Sequence, residues 1–177
     1  QMIINQVQAM KRMVDDFRDY ARLPAPDVAA LDLNELIREV LGLYESSSVR
    51  IEARLASRLP AVLGDATQLR QIIHNLLRNA EDALEGRTDG VIRVRTEATA
   101  GRARLLISDN GPGFPGEMLP RIFEPYVTTK ARGTGLGLSV VQNLVQRHGG
   151  SVLIERTGPD GTTFVLRFPR RPPPDTA

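Results

Sequence analysis

The stretch Asp109–Leu138, DNGPGFPGEMLPRIFEPYVTTKARGTGLGL, holds two glycine clusters, Gly111/Gly113 and Gly133/Gly135/Gly137, separated by a short aromatic and Thr/Lys-bearing segment. Glycine tolerates positive φ and lets backbone approach a ligand closely, at an entropic cost, so two such clusters need a reason. Loops held on a rigid scaffold commonly carry binding function, and a nucleotide cradle would supply that reason. Asp109 ends an apolar strand, and two readings of it stand. One is an Asx-turn at a strand end. The other is a carboxylate that accepts a hydrogen bond from an exocyclic base amine, favouring adenine over guanine, with Gly111 and Gly113 letting the backbone lie against the base. GTGLGLSVV (133–141) leads directly into a helix, where free N–H groups and the positive dipole end suit phosphate. It is not a P-loop, because GxxxxGK[ST] is absent. Nor is it a Rossmann fingerprint, because Leu138 stands where the third glycine belongs. Leu136 and Leu138 also argue against a freely solvated linker.

Upstream, Asp65 with Gln68 three residues on predicts a helix running to about Leu84, its buried side formed by Leu69, Ile72, Ile73, Leu76, Leu77, Ala80 and Ala83/Leu84. Asn75 and Asn79 lie four apart on one face of it. Their amides either cap loops and bond neighbouring backbone, or offer a carboxamide oxygen to Mg²⁺, a hard cation that keeps several waters and bridges substrate phosphates. Lys11 and Lys130 are the two lysines among 23 basic residues, and Lys130 falls between the glycine clusters, after Thr128 and Thr129. It is either a solvated loop lysine or an ammonium for a β- or γ-phosphate. His74 lies beside Asn75, and His148 sits at a helix C-terminus where a cation is mildly favoured. Together they form no metal site.

Around this centre the chain reads as alternating helices and hairpins. Residues 1–22 form one helix in which Ile3, Val7, Met10, Val14, Phe17 and Ala21 recur at coiled-coil-like spacing, with Lys11, Arg12, Asp15, Asp16, Arg18 and Asp19 on the other face. Such a helix either packs on its own domain or is half of a dimerising hairpin. The second is favoured, because LPAPDVAA follows at once and its prolines stop the helix at a domain boundary. Asp32 and Glu35 open a helix with Leu36, Ile37, Val40, Leu41 and Leu43 as its apolar face. Residues 49–55 alternate as a strand, and 91–98 with 103–109 form a hairpin around Thr99–Arg102. A short helix over Glu117–Phe123 and another from about Leu136 to Arg147 precede a closing hairpin, 151–157 with 162–168. The tail RRPPPDTA has little to bury and is expected to be disordered. The simplest packing is α+β, an α/β sandwich in which a mixed sheet is backed by three helices and preceded by one amphipathic helix.

The formal charge of +2 gives no strong positive field, and no basic run or interleaved aromatic stripe points to nucleic acid. No cysteine is present, which excludes disulfides and thiolate metal sites. No apolar run approaches the ~20 residues of a membrane span. The sequence starts without Met inside a helical pattern, so a fragment of a longer protein is expected.

In this order the motifs resemble the ATP-binding domain of bacterial sensor histidine kinases, with its Bergerat fold. HNLLRNAEDAL (74–84) is similar to the family's N box, DNGPGF (109–114) to its first glycine box, FEPYVTTK (123–130) to its F box, GTGLGL (133–138) to its second glycine box, and GTTF (161–164) to its closing strand motif. The wording of RMVDDFRDYARLPAP and FEPYVTTK resembles nitrogen-regulation sensor kinases of the NtrY kind. The resemblance implies ATP and Mg²⁺ as cofactors. Asn79 would ligate the metal with Asn75 assisting, Asp109 would hold the adenine amine, and Thr162 would support the base. Gly133, Thr134, Gly135, Leu136, Gly137 and Leu138 would follow the phosphates, with Thr129 and Lys130 on a lid ordered only with nucleotide. It further implies residues 1–23 as the second helix of the dimerisation and phosphotransfer hairpin, 24–30 as linker, 31–169 as the catalytic domain and 170–177 as tail. The expected partners are a response regulator and a second copy through the hairpin helices of the full-length protein. No nucleic acid and no membrane contact by this fragment are expected, and the fragment would be the cytoplasmic part of a parent anchored in the inner membrane.

Two departures matter. The family's phosphoacceptor histidine lies in an H box on the preceding helix, a context that neither His74 nor His148 has, so the fragment is expected not to autophosphorylate alone. In Lys-bearing N boxes of the family a cation follows the metal asparagine by three, where this chain has Asp82.

Overall fold

A computed structural model of the protein describes residues 2–21, 24–125, 127 and 137–169. Its helices are α1 (Met2–Ala21), α2 (Leu33–Gly42), α3 (Ala66–Ala83) and α4 (Gly137–Arg147), and its strands are β1 (Ala29–Leu31), β2 (Arg50–Arg54), β3 (Val62–Gly64), β4 (Val91–Thr99), β5 (Arg102–Asp109), β6 (Ser151–Gly158) and β7 (Gly161–Arg167). The capping carboxylates act as the sequence predicts. Asp32 Oδ1 accepts from Glu35 N at 3.2 Å and Asp65 Oδ1 from Gln68 N at 3.1 Å, each satisfying an amide that its helix leaves unpaired.

Five strands form a mixed sheet in the order β2-β4-β5-β7-β6, parallel between β2 and β4 and antiparallel elsewhere. Strand alternation sends Ile92, Val94, Leu105, Ile107, Phe164 and Leu166 to one face. There they share a core with Leu36 and Ile37 of α2, Leu69, Ile72, Ile73, Leu76 and Leu77 of α3, and Val141 and Leu144 of α4. The three expected helices therefore back the sheet. On the opposite face Arg93 pairs with Glu52 at 3.3 Å, and Arg104 with Glu97 at 3.5 Å and Glu155 at 3.8 Å. Partly exposed pairs of this kind contribute little to stability. A buried polar triangle fixes the chain leaving β2. Thr96 Oγ1 donates to Asn34 Oδ1 and accepts from Ala56 N, while Asn34 Nδ2 donates to Ala56 O, all at 2.8 Å.

Several local expectations change. Ala29–Leu31, part of it expected as linker, pairs antiparallel with Val62–Gly64 in a second, two-stranded sheet. Leu43 is exposed beyond the end of α2, and Tyr44 takes its place in the core. The short helix expected over Glu117–Phe123 is a 3₁₀ helix at Gly116–Arg121, with Pro120 inside it. His148 is not a cation at a helix end but a buried neutral ring. Its Nδ1–H donates to Leu144 O at 2.7 Å and its Nε2 accepts from Asp65 N at 3.0 Å, two bonds that only the neutral ring makes together. It ties the end of α4 to the start of α3.

The stripe of α1 stays open, with Ile3, Val7, Met10, Val14 and Phe17 all more than half exposed. Beyond α1, Pro24 O accepts from Gln68 Nε2 at 2.8 Å and from Arg147 Nη1 at 3.1 Å, which seats the connecting chain on α3 and α4.

Candidate functional site

The site forms where β5 ends and β7 begins, beside the C-terminal half of α3. Asp109 is the last residue of β5 and pairs with Thr162 of β7. Its buried carboxylate accepts from Gly111 N through Oδ1 at 2.9 Å, which fixes its rotation at the strand end. This is the Asx geometry anticipated for such a residue, so the turn and a binding role for Asp109 are compatible. Two glycines make the close packing possible. Gly161 has φ +128°, and a Cβ there would lie 1.8 Å from Asp109 O; Gly113 has φ +77°, and its Cβ would lie 2.3 Å from Gly158 O. A side chain at either position would drive the strand ends apart.

Asp109, Gly113, Phe114 and Thr162 face Asn79 across a cavity of about 890 Å³, whose α3 side also carries Glu81, Asp82 and Glu85. The volume lies within the range of small-molecule and cofactor sites. Thr162 Oγ1 lies 2.9 Å from Thr157 Oγ1, which accepts from Phe114 N at 3.0 Å, so the segment after the first glycine box is pinned to the closing hairpin. Phe114 and Phe123 both meet Phe164 edge-on, with centroids 6.2 and 6.4 Å away, and carry the 3₁₀ segment on the sheet.

Asn75 does not line this cavity. Four helical residues advance roughly 6 Å and rotate about 40°, so Asn75 opens instead on an adjoining cavity of about 510 Å³ with Gly137, Arg70, His74 and Arg78. Its Nδ2 donates to Gly137 O at 3.4 Å, a long bond that joins the two expected phosphate elements. Leu138, expected along the phosphates, packs partly buried against the core. Thr129, Lys130, Gly133, Thr134, Gly135 and Leu136, and with them most of the expected lid, lie outside the described residues, as does the tail 170–177.

Three features escaped the sequence. Asn110 is a clamp: Oδ1 accepts from Val91 N at 2.8 Å, Nδ2 donates to Asp89 O at 2.9 Å, and Arg87 Nη1 reaches its carbonyl at 2.6 Å. The loop before β4 is thereby held against the site. Asparagine's self-complementary amide within DNG was the available signal. Tyr44 Oη and His74 Nδ1 stand 2.7 Å apart at the rim. Burial, then Glu81, pushes the Tyr44 phenol well above its usual range. Burial, then Arg78, lowers His74. Arg12 of α1, exposed and by its spacing off the apolar stripe, also lines both cavities.

Residues 64–172, more than half of the chain, match the family described as histidine kinase-, DNA gyrase B- and HSP90-like ATPases. The chain belongs to this family. Among individual relatives, the nitrogen regulation protein NtrY of Azorhizobium caulinodans is 36% identical over 173 residues, which cover 94% of this chain and 22% of that protein. The sensor histidine kinase ZraS of Escherichia coli K12 is 34% identical, covering 96% and 37%. The chain thus spans about a fifth to two fifths of the length of these relatives. Full-length ShkA in complex with AMPPNP superposes with a TM-score of 0.78 at 32% identity, over 89% of this chain and 35% of that one. Histidine kinase ThkA in complex with the response regulator TrrA gives 0.78 at 27% identity, over 97% and 50%. The fold is the Bergerat fold of histidine kinase catalytic domains, and the chain is homologous to NtrY-like sensor kinases.

Proposed function

We propose that this chain is the ATP- and Mg²⁺-binding catalytic unit of a two-component sensor histidine kinase. It positions the γ-phosphoryl group of ATP for attack by a histidine outside the chain, for relay to a response-regulator aspartate. The observation that carries this is the convergence of Asp109, Thr162, Gly113 and Asn79 on one cavity. Asp109 would accept from the adenine amine with Thr162 supporting the base, and Asn79 would offer its carboxamide oxygen to the metal. Among the described residues no group of three or more His, Cys, Asp or Glu side chains is placed to hold a metal. One hard oxygen completed by phosphates and water fits Mg²⁺, which seldom uses an all-protein cage. The metal would neutralise phosphate charge, while the chain's own residues bind and orient the nucleotide.

Hydrolysis fits less well. Related ATPases carry a water-activating Glu four residues before the metal asparagine, where this chain has Asn75, whose amide is turned to Gly137 O. An amide is no general base. No helix among the described residues is long and apolar enough to cross a membrane. We place the unit in the cytoplasm, in a parent anchored in the inner membrane that dimerises through α1 and its hairpin partner. The test is transfer in trans: the chain, γ-labelled ATP and Mg²⁺ are incubated with a hairpin fragment that carries the acceptor histidine. Label on the hairpin that disappears with Asn79→Ala is expected. Label on the isolated chain, or transfer indifferent to Asn79→Ala, would contradict it.

A further inference from the structure

Arg12 stands where α1 meets both cavities, lining the larger with Asn79, Asp82, Asp109 and Thr162 and the smaller with Asn75, Arg78 and Gly137. It is close enough to α3 that its charge helps to depress His74, after burial and Arg78. It forms no hydrogen bond or ion pair among the described residues. Its surroundings ask for a cation. The α3 side of the larger cavity presents Glu81, Asp82 and Glu85, a wall that repels the polyphosphate of any nucleotide whose base rests at Asp109. Asp82 occupies the position three residues after Asn79 and cannot offset that repulsion. Among the described residues the cavity's cationic side chains are Arg12 and Arg87, and Arg87 is committed to Asn110 O at 2.6 Å. A guanidinium presents donors in a planar fork that matches phosphate oxygens.

We propose that Arg12 of α1 engages the terminal phosphates of the bound nucleotide, so that the nucleotide's charge draws α1 onto the catalytic unit. α1 is then more than a tether. A nucleotide that favours the docked helix is itself held more tightly when the helix is docked, because linkage is reciprocal. This role presupposes that the cavity takes an adenine nucleotide, as proposed above.

The test is calorimetric titration of the whole chain with ATP, ADP and AMP in the presence of Mg²⁺, for the wild type, Arg12→Ala and Arg12→Lys. Arg12→Ala is expected to weaken ATP roughly tenfold, the size of one charge-assisted bond at a partly exposed site, and to leave AMP within about twofold. Arg12→Lys is expected to recover part of the loss, since it keeps the charge without the fork. An unchanged ATP affinity in Arg12→Ala, or an equal loss for all three nucleotides, would overturn the proposal. A wild-type chain that takes up none of the three would instead overturn the nucleotide function itself.

Discussion

Replacing Gly161 by alanine tests whether the site depends on the close approach of two strand ends. The added Cβ would sit 1.8 Å from Asp109 O and 2.9 Å from Asn110 Cα, at φ +128°. Carbon and oxygen cannot approach so closely, so the start of β7 must move away from the end of β5 by more than an ångström, and the Asp109–Thr162 pairing beside it is lost. The backbone conformation alone costs an L-residue about 1–3 kcal/mol. Each ladder hydrogen bond given up adds about 1 kcal/mol. A loss of about 3–5 kcal/mol follows, a large share of the 5–15 kcal/mol that typically holds a domain together. Urea unfolding at constant pH reads it directly, with Gly42→Ala as control: nothing lies within 4 Å of a Cβ there, and alanine late in α2 should leave stability unchanged or raise it slightly. Since Asp109 would move with its carbonyl, nucleotide affinity should fall in parallel. A Gly161→Ala protein within about 1 kcal/mol of wild type, at unchanged m, would refute the reasoning.

His148→Ala removes two buried hydrogen bonds and leaves Asp65 N unpaired, so thermal or urea unfolding should show a loss of about 2–4 kcal/mol; an effect below about 1 kcal/mol would mean that the ring does not join α4 to α3. Asp65 supplies a pH test. Burial would raise its pKa, but backbone N–H groups of Asp27, Gln68 and Thr67 outweigh that and hold it below 3.8. The unfolded chain therefore binds a proton first as acid is added. The stability this carboxylate contributes is complete above its unfolded pKa and is lost as pH falls through the lower folded one. Asp65→Asn should flatten that acid limb in unfolding curves below about pH 4; an unaltered acid limb would count against it.

What the sequence made legible was local or ordered along the chain. Asp32 and Asp65 announce their helices because a cap and the amide it binds lie three residues apart. Strand alternation in 91–98 and 103–109 needs no distant partner to be seen. Only the resemblance to a known family implies that Asp109, Gly113, Thr162 and Asn79 share one site, and the four line one cavity. The two-stranded sheet is not visible in the sequence, since AAL and VLG carry no period and form strands only by pairing with each other across 30 intervening residues. His148 stands at the helix end its sequence position predicts, but its link to α3 is not legible for a similar reason. Nothing near it in sequence shows that Asp65 N, 83 positions away, will donate to its ring. Arg12 is exposed, but that it also borders both cavities is not legible, because a heptad describes one helix, not what the helix is laid against.

The central claim is that the cavity beside Asp109 takes adenine, and one titration tests it most directly: ATP against GTP, with Mg²⁺, on wild type and Asp109→Asn. The wild type should bind ATP and strongly disfavour GTP, because a carboxylate accepts from the adenine amine and repels the guanine oxygen. Asp109→Asn should weaken ATP and erase the preference. Equal affinity for the two nucleotides in the wild type, or a preference that survives Asp109→Asn, would contradict the account.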